Sequence, residues 1–458
     1  MSPVRFTINA LFCLLLSPPV FLTAQVDVFF DTFTGRTLRF DYYHSGTSTE
    51  EYISLDRVRL EGPWSGSRTQ LIDQTNRGKY LFEVIDQSSG YVIYSRGYAS
   101  IYGEWETTGE ARDGIWRTFH ESQRFPETRV PVLLVLKKRN DEGGFIEIYH
   151  QEINPVGRFV DRSPLLSHGT LNTIIENGTP ASKVDILFMG DGYTIDDVEQ
   201  FQIDTGRLVN ILFNTEPYRS RRDQFNVRTI LPLADQAGIS DPRNGVWRNS
   251  PLGLSHNALD LDRYVLTYRN TTVREIAAQV PYDILILVSN SPQYGGGGIF
   301  NLYAVVAASN DDASYLLIHE FGHAFAGLGD EYYNSDVTYE EFHNPGVEPW
   351  EPNITALLDP VNLKWRHLVD VNTPLPTPWD QTAFDQASQQ SRPGSTTPWN
   401  LLEQEPFFGV VGAFEGASYE AKGLYRPELS CIMFSSAGDH YCQVCTEAIE
   451  EIIDLYTQ

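Results

Sequence analysis

Residues His319–Tyr332 read HEFGHAFAGLGDEY, and this stretch decides how the whole sequence is interpreted. It begins with the pattern HExxH. Two histidines four residues apart share one face of an α-helix, so both can reach a single metal ion. Glu320 lies beside them and can act as the base for a metal-activated water. The pattern predicts a helix from Ser314 to about Ala326 that carries a catalytic metal site.

The residues after this helix predict a third metal ligand. One extended pattern has a glycine three residues after the second histidine and a ligand three residues after that glycine. Those positions hold Ala326 and Gly329 here, and shifting both by one residue gives Gly327 and Asp330. Glycine can adopt positive φ and end the helix, and aspartate is a competent zinc ligand. We expect Asp330, rather than the neighbouring Glu331, to complete the ligand set.

Three further features surround this pattern. Met433, in the apolar run SCIMFSS, is a candidate for the methionine turn beneath a zinc site, although an isolated methionine also suits a plain core. Gly295–Gly298 precedes the helix, and it is either a cleft edge that pairs with extended substrate or a plain turn. Tyr425 is a candidate hydrogen-bond donor to the oxyanion, with a packed aromatic residue as the alternative.

From about residue 180 onward, the sequence resembles the IgA-peptidase family of bacterial metallopeptidases, family 64. The matching segments are Gly190–Thr194 (GDGYT), Ser291–Gly298 (SPQYGGGG), His319–Tyr332, Tyr425–Pro427 with Cys431–Met433, and Cys442–Cys445 (CQVC). The N-terminal half resembles the β-domain that precedes the catalytic domain in such proteins.

This resemblance implies a metzincin-like zinc endopeptidase with one catalytic Zn²⁺. His319, His323 and Asp330 are then the ligands, Glu320 is the base, and the partner is a protein or peptide substrate. Host glycoproteins such as immunoglobulins are one substrate class, which family membership alone does not establish.

The rest of the chain predicts an α+β multidomain protein. Residues 1–24 have the charged start, short apolar run and small residue of a secretory signal peptide, while Pro18 and Pro19 argue against the alternative of a membrane anchor. Short β-rich runs over 25–165 predict an N-terminal β-sandwich. Strands alternating with helices over 166–458 predict an α/β catalytic domain, and 334–400 is expected to be an irregular subdomain.

Three cysteines follow the predicted signal peptide: Cys431, Cys442 and Cys445. An exported chain meets oxidising conditions, so we expect one disulfide between Cys431 and either Cys442 or Cys445. A structural zinc site that uses these cysteines together with His440 is the alternative.

Charge excludes some functions. The chain has 34 Lys+Arg against 60 Asp+Glu, a net charge of −26, which disfavours binding to nucleic acid or to an anionic membrane surface. Ca²⁺ binding by clustered carboxylates is left open. We therefore expect a secreted, periplasmic or cell-surface zinc peptidase. An exported adhesin with a decayed peptidase domain and a metal-dependent amidase acting on cell-wall or glycan material are the alternatives.

Overall fold

The computed structural model describes residues 28–334, 343–344, 346–391 and 397–458. The predicted signal peptide, 1–24, lies outside this part of the chain. No helix in the described ranges is both long enough and apolar enough to span a bilayer. The protein has mixed α and β content, arranged as an N-terminal region followed by a larger second region.

Two four-stranded sheets, with strand orders β5-β1-β2-β8 and β4-β3-β6-β7, build the N-terminal region. Its elements are α1 Phe29–Thr32, β1 Phe33–Gly46, β2 Glu51–Pro63, β3 Tyr80–Asp86, β4 Val92–Tyr98, α2 Ile101–Trp105, α3 Gly109–Arg112, β5 Arg117–Thr128, β6 Val132–Arg139, β7 Phe145–Ile153 and β8 Val160–Asp161. Both sheets contribute side chains to one hydrophobic core.

Strand β1 contacts the N-terminal core with one face and the second region with the other. Successive side chains of a strand point to opposite faces. Phe40 and Tyr42 therefore enter the core between the two sheets. Arg39 and Asp41 are equally buried on the other face, where Arg39 pairs with Asp41 and, at 2.6 Å, with Glu275 of the second region. The strand reads as apolar and charged in alternation because it lies between a core and an interface.

The second region is built on a six-stranded sheet with the order β13-β14-β12-β10-β11-β9. Its elements are β9 Thr170–Ile175, β10 Val184–Asp191, α4 Val198–Leu212, β11 Phe225–Leu231, α5 Asn270–Ala277, β12 Ile284–Ser289, β13 Gly296–Ile299, β14 Tyr303–Ala307, α6 Ala313–Ala326, α7 Gln381–Gln390, α8 Thr397–Leu402, β15 Phe414–Ala417, β16 Glu420–Arg426 and α9 Gln443–Thr457. The four central strands are parallel, and β9 and β13 form antiparallel edges.

Both faces of this sheet are covered, which explains the near-continuous apolar sequence of β10 and β12. Ile186 and Phe188 pack on the side of α4, α6 and α9. Leu187 and Met189 face the opposite side, in a core that also contains Trp105 of the N-terminal region. The two regions therefore share a hydrophobic core.

A buried arginine adds a polar connection between the regions. Arg77 of the N-terminal region donates hydrogen bonds to the carbonyl oxygens of Ala326 (3.0 Å) and Ala448 (2.9 Å). Ala326 is the last residue of α6, and Ala448 lies in α9. The Arg77 guanidinium therefore lies at the C-terminal end of the HExxH helix, where a positive charge interacts favourably with the helix dipole.

Sheet membership changes between β8 and β9, on either side of residue 165. The segment expected to be irregular, 334–400, lies partly outside the described residues. Its described part contains short 3₁₀ turns, the regular helix α7 and the start of α8. The prediction there missed α7 because its Gln- and Ser-rich sequence, QTAFDQASQQ, buries none of its residues fully and lacks an apolar stripe.

Candidate metal centre and active site

Helix α6 brings His319 and His323 side by side on one face. Its other positions are strongly apolar, and Leu317 and Phe321 are fully buried in the core. The helix ends at Gly327, whose φ of 64° is left-handed, and the Gly327 N–H donates to the His323 carbonyl oxygen at 3.0 Å. A glycine is needed at this turn because side chains disfavour that conformation.

The turn returns Asp330 to the two histidines. His319 Nε2 lies 3.2 Å from His323 Nε2, and Asp330 Oδ1 lies 3.0 Å and 3.3 Å from these two nitrogens. Around a tetrahedral zinc with bonds of about 2.0–2.1 Å, ligand atoms are about 3.3 Å apart. The spacing of the three donor atoms therefore fits one shared ion. We call His319, His323 and Asp330 the histidine cluster.

The outer nitrogens of both rings fix their tautomers. His319 Nδ1 lies 3.2 Å from the Ile432 carbonyl oxygen, and His323 Nδ1 lies 2.6 Å from the Leu328 carbonyl oxygen. A carbonyl oxygen only accepts hydrogen bonds, so each Nδ1 carries the proton. The Nε2 atoms then face each other and Asp330, where a bound metal ion would displace any proton that they carry.

The Asp330 carboxylate is held in its ionised form. Burial acts to raise its pKa, yet His323 and His319 hold the pKa well below its usual range. Burial lowers the pKa of His323, but Asp330 outweighs this effect and raises that pKa to about 9. Oδ2 accepts a hydrogen bond from the Tyr419 hydroxyl, whereas the buried Oδ1 accepts none and faces the histidines.

Glu320 is half-buried beside the histidine cluster, against edge strand β13. Burial raises the pKa of its carboxyl, against the opposing effect of His319 and His323. The glycines of β13 allow this close approach. A Cβ at Gly296 would lie 2.8 Å from Glu320 Oε1, and one at Gly298 would lie 2.3 Å from the Glu320 carbonyl oxygen. The glycine run is a strand that packs tightly on α6, rather than a turn.

A loop anchored on the GDGYT segment supports this edge of the sheet. Asp191 accepts hydrogen bonds from Ser250 Oγ (2.7 Å) and from the N–H groups of Leu252 and Leu254 (2.9 Å each). The chain continues to Val265, whose N–H donates to the Gly296 carbonyl oxygen at 2.9 Å. Asp191 therefore anchors the loop that supports β13.

The cleft around the histidine cluster is lined by both regions of the molecule. The N-terminal region contributes Lys79, Ser100 and Glu104 among its lining residues. Sequence reasoning assigned that region no role in the site, since these residues form no motif and only the fold brings them to α6.

Tyrosines line the cleft in a way that the sequence did not predict. Tyr425 is not a lining residue; its backbone pairs with Thr355, away from the histidine cluster. The oxyanion contact suggested for it therefore has no geometric support, because β16 directs this residue to the partner segment. The tyrosines found in the cleft are Tyr264, Tyr294, Tyr315, Tyr332 and Tyr419. Tyr332 is the last residue of the His319–Tyr332 stretch, whereas no spacing signals Tyr419.

Met433 is fully buried and packs on α6, where a Cβ added at Gly322 would lie 3.1 Å from its sulfur. The Met433 carbonyl oxygen accepts a hydrogen bond from the Glu331 N–H at 2.9 Å, and the preceding Ile432 carbonyl binds His319. The methionine segment thus contacts both the HExxH helix and the chain beside the third ligand.

The predicted disulfide does not form in the structure. Cys431, Cys442 and Cys445 are buried free thiols, and Cys431 Sγ lies 3.9 Å from Cys445 Sγ. The prediction rested on oxidising conditions after export and on the nearness of the cysteines in sequence, whereas the fold also places the distant Glu331 carboxylate among them. His440, the residue suggested as a further zinc ligand, is instead exposed and hydrogen-bonds Asp439.

Metal-binding potential in the described ranges is confined to three groups of His, Cys, Asp and Glu. The histidine cluster and the cysteine-containing group are two of them. The third, Asp41 with Asp56 and His120, has its Asp41 carboxylate bound by Arg39 and Arg57. None of the three consists of carboxylates alone, and Ca²⁺ binding stays a prediction, because Ca²⁺ also takes backbone carbonyl and water oxygens as ligands.

Two histidines and a carboxylate around one point, with a glutamate beside them on the same helix, define the class of metal-dependent peptidases. Residues 173–453 match the family model described as IgA Peptidase M64, and residues 28–150 match the model described as Peptidase M64 N-terminus. The chain therefore belongs to the M64 peptidase family. No curated protein matches the sequence.

Proposed function

We propose that this protein is an exported zinc-dependent endopeptidase that hydrolyses peptide bonds of protein substrates. The observation that carries this proposal is the convergence of His319, His323 and Asp330 beside Glu320 in a cleft. Three ligands leave a fourth position for water or substrate, as in catalytic rather than structural zinc sites. The proposal includes a metzincin-like catalytic domain, with Met433 as its methionine turn, and an N-terminal β-sandwich.

Zinc bound at this position would supply a Lewis acid that acidifies water and polarises the scissile carbonyl. The donor set fits this ion, because both Nε2 lone pairs and the unbonded Asp330 Oδ1 face one point. The Ile432 and Leu328 carbonyls keep the rings oriented, and Tyr419 orients the carboxylate.

Glu320 moves the proton in this mechanism. Its partial burial favours the uptake of a proton by the carboxylate, which accepts it from the attacking water. The same carboxyl then delivers the proton to the departing amine. Tyrosines and β13 line the cleft beside this carboxylate.

The shape of the cleft supports an extended peptide as substrate. Strand β13 is the last strand of the sheet, and its Gly296 already pairs with Arg263 and Val265. An extended peptide would therefore form main-chain hydrogen bonds with the part of β13 beyond Gly296. Lys79 and Glu104 place opposite charges on the N-terminal wall of the cleft. Immunoglobulins and other host glycoproteins are a substrate class consistent with the family's description.

Two other functions were considered from the sequence. An adhesin with a decayed peptidase domain has no physical reason to keep His319, Glu320, His323 and Asp330 together in one site. A metal-dependent amidase needs the same centre but a different cleft, so substrate screening separates it from a peptidase.

The proposal is tested by cleavage profiling of a protein mixture with wild type and Glu320→Gln. The amide keeps the size of the side chain but cannot accept the proton, so activity should fall at least ~10²-fold while zinc content is retained. Glu447→Gln, at an exposed position that pairs with His367, is the matched control and should keep full activity. Unchanged turnover in purified Glu320→Gln would contradict the assignment.

A further inference from the structure

A second group of metal-binding side chains lies behind the methionine segment, and we call it the cysteine cluster. It consists of Glu331, Cys431, Cys442 and Cys445, all of them buried. The four ligand atoms lie within 4.8 Å of one another. It is separate from the histidine cluster, although Glu331 directly follows Asp330 in the chain.

We propose that the cysteine cluster is a closed, structural metal site that takes Zn²⁺. The distances support this proposal. Around a tetrahedral zinc, with Zn–S of about 2.3 Å and Zn–O of about 2.0 Å, two sulfurs lie about 3.8 Å apart and sulfur and oxygen about 3.5 Å apart. Cys431 and Cys445 sulfurs are separated by 3.9 Å, and Glu331 Oε1 lies 3.2 Å from Cys445 Sγ and 3.8 Å from Cys442 Sγ.

An unpartnered carboxylate oxygen points to a missing ligand. Glu331 is fully buried, and its Oε2 has no hydrogen-bond partner, while Oε1 accepts one from Asn353 Nδ2 at 2.9 Å. Burying such an oxygen without a partner is costly. A cation bound through Oε1, which lies beside the Cys442 and Cys445 sulfurs, would compensate the buried charge of this carboxylate. A Cys431–Cys445 disulfide would leave both the carboxylate and the Cys442 thiol without compensation.

Backbone N–H groups are placed as they are around metal-bound thiolates. The Cys442 and Met433 N–H groups lie 3.3 Å and 3.5 Å from Cys431 Sγ, and the Cys445 N–H lies 3.5 Å from Cys442 Sγ. Cys442 is also the N-cap of α9, so the positive end of the helix faces the sulfurs. Such contacts stabilise thiolates and orient ligands.

Arg426 supplies a nearby positive charge. Its guanidinium is fully buried and interacts electrostatically with Glu331 and Cys431. Three thiolates and a carboxylate around a divalent ion carry excess negative charge, which a buried arginine offsets. Thiolate-rich sites select zinc over the hard cations magnesium and calcium.

The cysteine cluster joins three parts of the second region. Glu331 follows the third ligand of the histidine cluster, Cys431 precedes Met433, and Cys442 and Cys445 begin α9. A metal ion there would tie the loop that carries Asp330 to the methionine segment and to the last helix. Its role would be to hold these segments together, not to contact substrate.

Metal analysis of the full-length protein tests the site. Wild type should hold two zinc ions per chain, one in each cluster. The double variant His319→Ala/His323→Ala should keep the ion of the cysteine cluster. The double variant Cys442→Ser/Cys445→Ser should keep only the ion of the histidine cluster. His440→Ala is the control that should keep both, because His440 is exposed and outside the cluster. One ion per chain that is insensitive to the cysteine substitutions would overturn the proposal.

The wild-type protein gives a second test that does not depend on the cysteine variant folding. Replacement of zinc by Co²⁺ should produce a thiolate-to-cobalt charge-transfer absorption, and His319→Ala/His323→Ala should retain it. Mass spectrometry of the denatured, non-reduced chain should show Cys431, Cys442 and Cys445 as free thiols. Absence of the absorption, or a mass showing a disulfide, contradicts the cysteine cluster as a metal site. Failure of the peptidase proposal would leave both readouts unchanged.

Discussion

Asp330 and Glu331 are neighbours in the chain, yet their carboxylates belong to different environments. Asp330 faces the cleft with His319 and the partly exposed His323, whereas Glu331 faces away from it, among three buried cysteines. In our proposals, the histidine cluster binds its ion with three protein ligands and leaves a fourth position open. The cysteine cluster binds its ion with four protein ligands and leaves no position open. The turn after Gly327 therefore directs two adjacent carboxylates to opposite sides of the chain, one to the histidine cluster and one to the cysteine cluster.

The difference between the clusters also lies in what surrounds them. Tyrosines and the glycine edge of β13 leave space around the histidine cluster. Helix α9, Asn353 and Arg426 leave none around Glu331. Accessibility should therefore determine which ion exchanges first.

We expect the largest difference between the two clusters when the protein is treated with a chelator. Brief treatment of the holoprotein with a chelator should abolish peptidase activity by removing the ion from the open histidine cluster. The ion of the closed cysteine cluster should remain, and added Zn²⁺ should restore activity. Metal content and turnover, measured on the same samples, check this expectation. Simultaneous loss of both ions would show that the proposed difference in access is wrong.

The two adjacent acids can be compared by substitution. Asp330→Ala should lose the ion of the histidine cluster and, with it, activity. Glu331→Ala should keep that ion while weakening metal binding in the cysteine cluster and lowering the free energy of unfolding. Metal content per chain and urea denaturation distinguish the outcomes. Loss of the histidine-cluster ion in Glu331→Ala alone would reverse the roles assigned to the two carboxylates.

A smaller effect is expected from Tyr419→Phe. This change keeps the ring and removes the hydroxyl that donates to Asp330 Oδ2. Loss of such an orienting contact typically costs about 10–100-fold in metal affinity or activity, and we expect about 10-fold in zinc affinity. Competition with a coloured chelator measures it. Tyr425→Phe, outside the cleft, is the control, and equal affinities for the two variants would show that Tyr419 does not orient the ligand.

Local sequence was enough to predict the parts of the structure that depend on spacing. HExxH specifies a helix face, and a left-handed glycine ends the helix at Gly327. The apolar runs of β10 and β12 correspond to strands buried on both faces. These features follow from residues within a few positions of one another, so no knowledge of the fold is needed.

Features that depend on distant segments could not be predicted in this way. Tyr419 and Asp330 are separated by 89 positions, and Glu331 and Cys445 by 114. No pattern links these pairs, so the prediction offered Tyr425 as a candidate for the cleft and, in its zinc alternative to a disulfide, His440 as a ligand beside the cysteines. Both were close in sequence to the relevant residues, but strand β16 and the loop before α9 direct them elsewhere.

The contacts of Arg77 have a consequence for how the protein is made. Its two carbonyl partners are 249 and 371 positions further along the chain. Ribosomes release the N-terminal region first, and domains generally fold as they emerge. During synthesis, the guanidinium can bind the Ala326 carbonyl only after α6 has been made, and the Ala448 carbonyl only after that part of α9 has been made. The complete set of contacts at the end of the HExxH helix therefore requires nearly the entire polypeptide, which couples maturation of the active site to the end of synthesis.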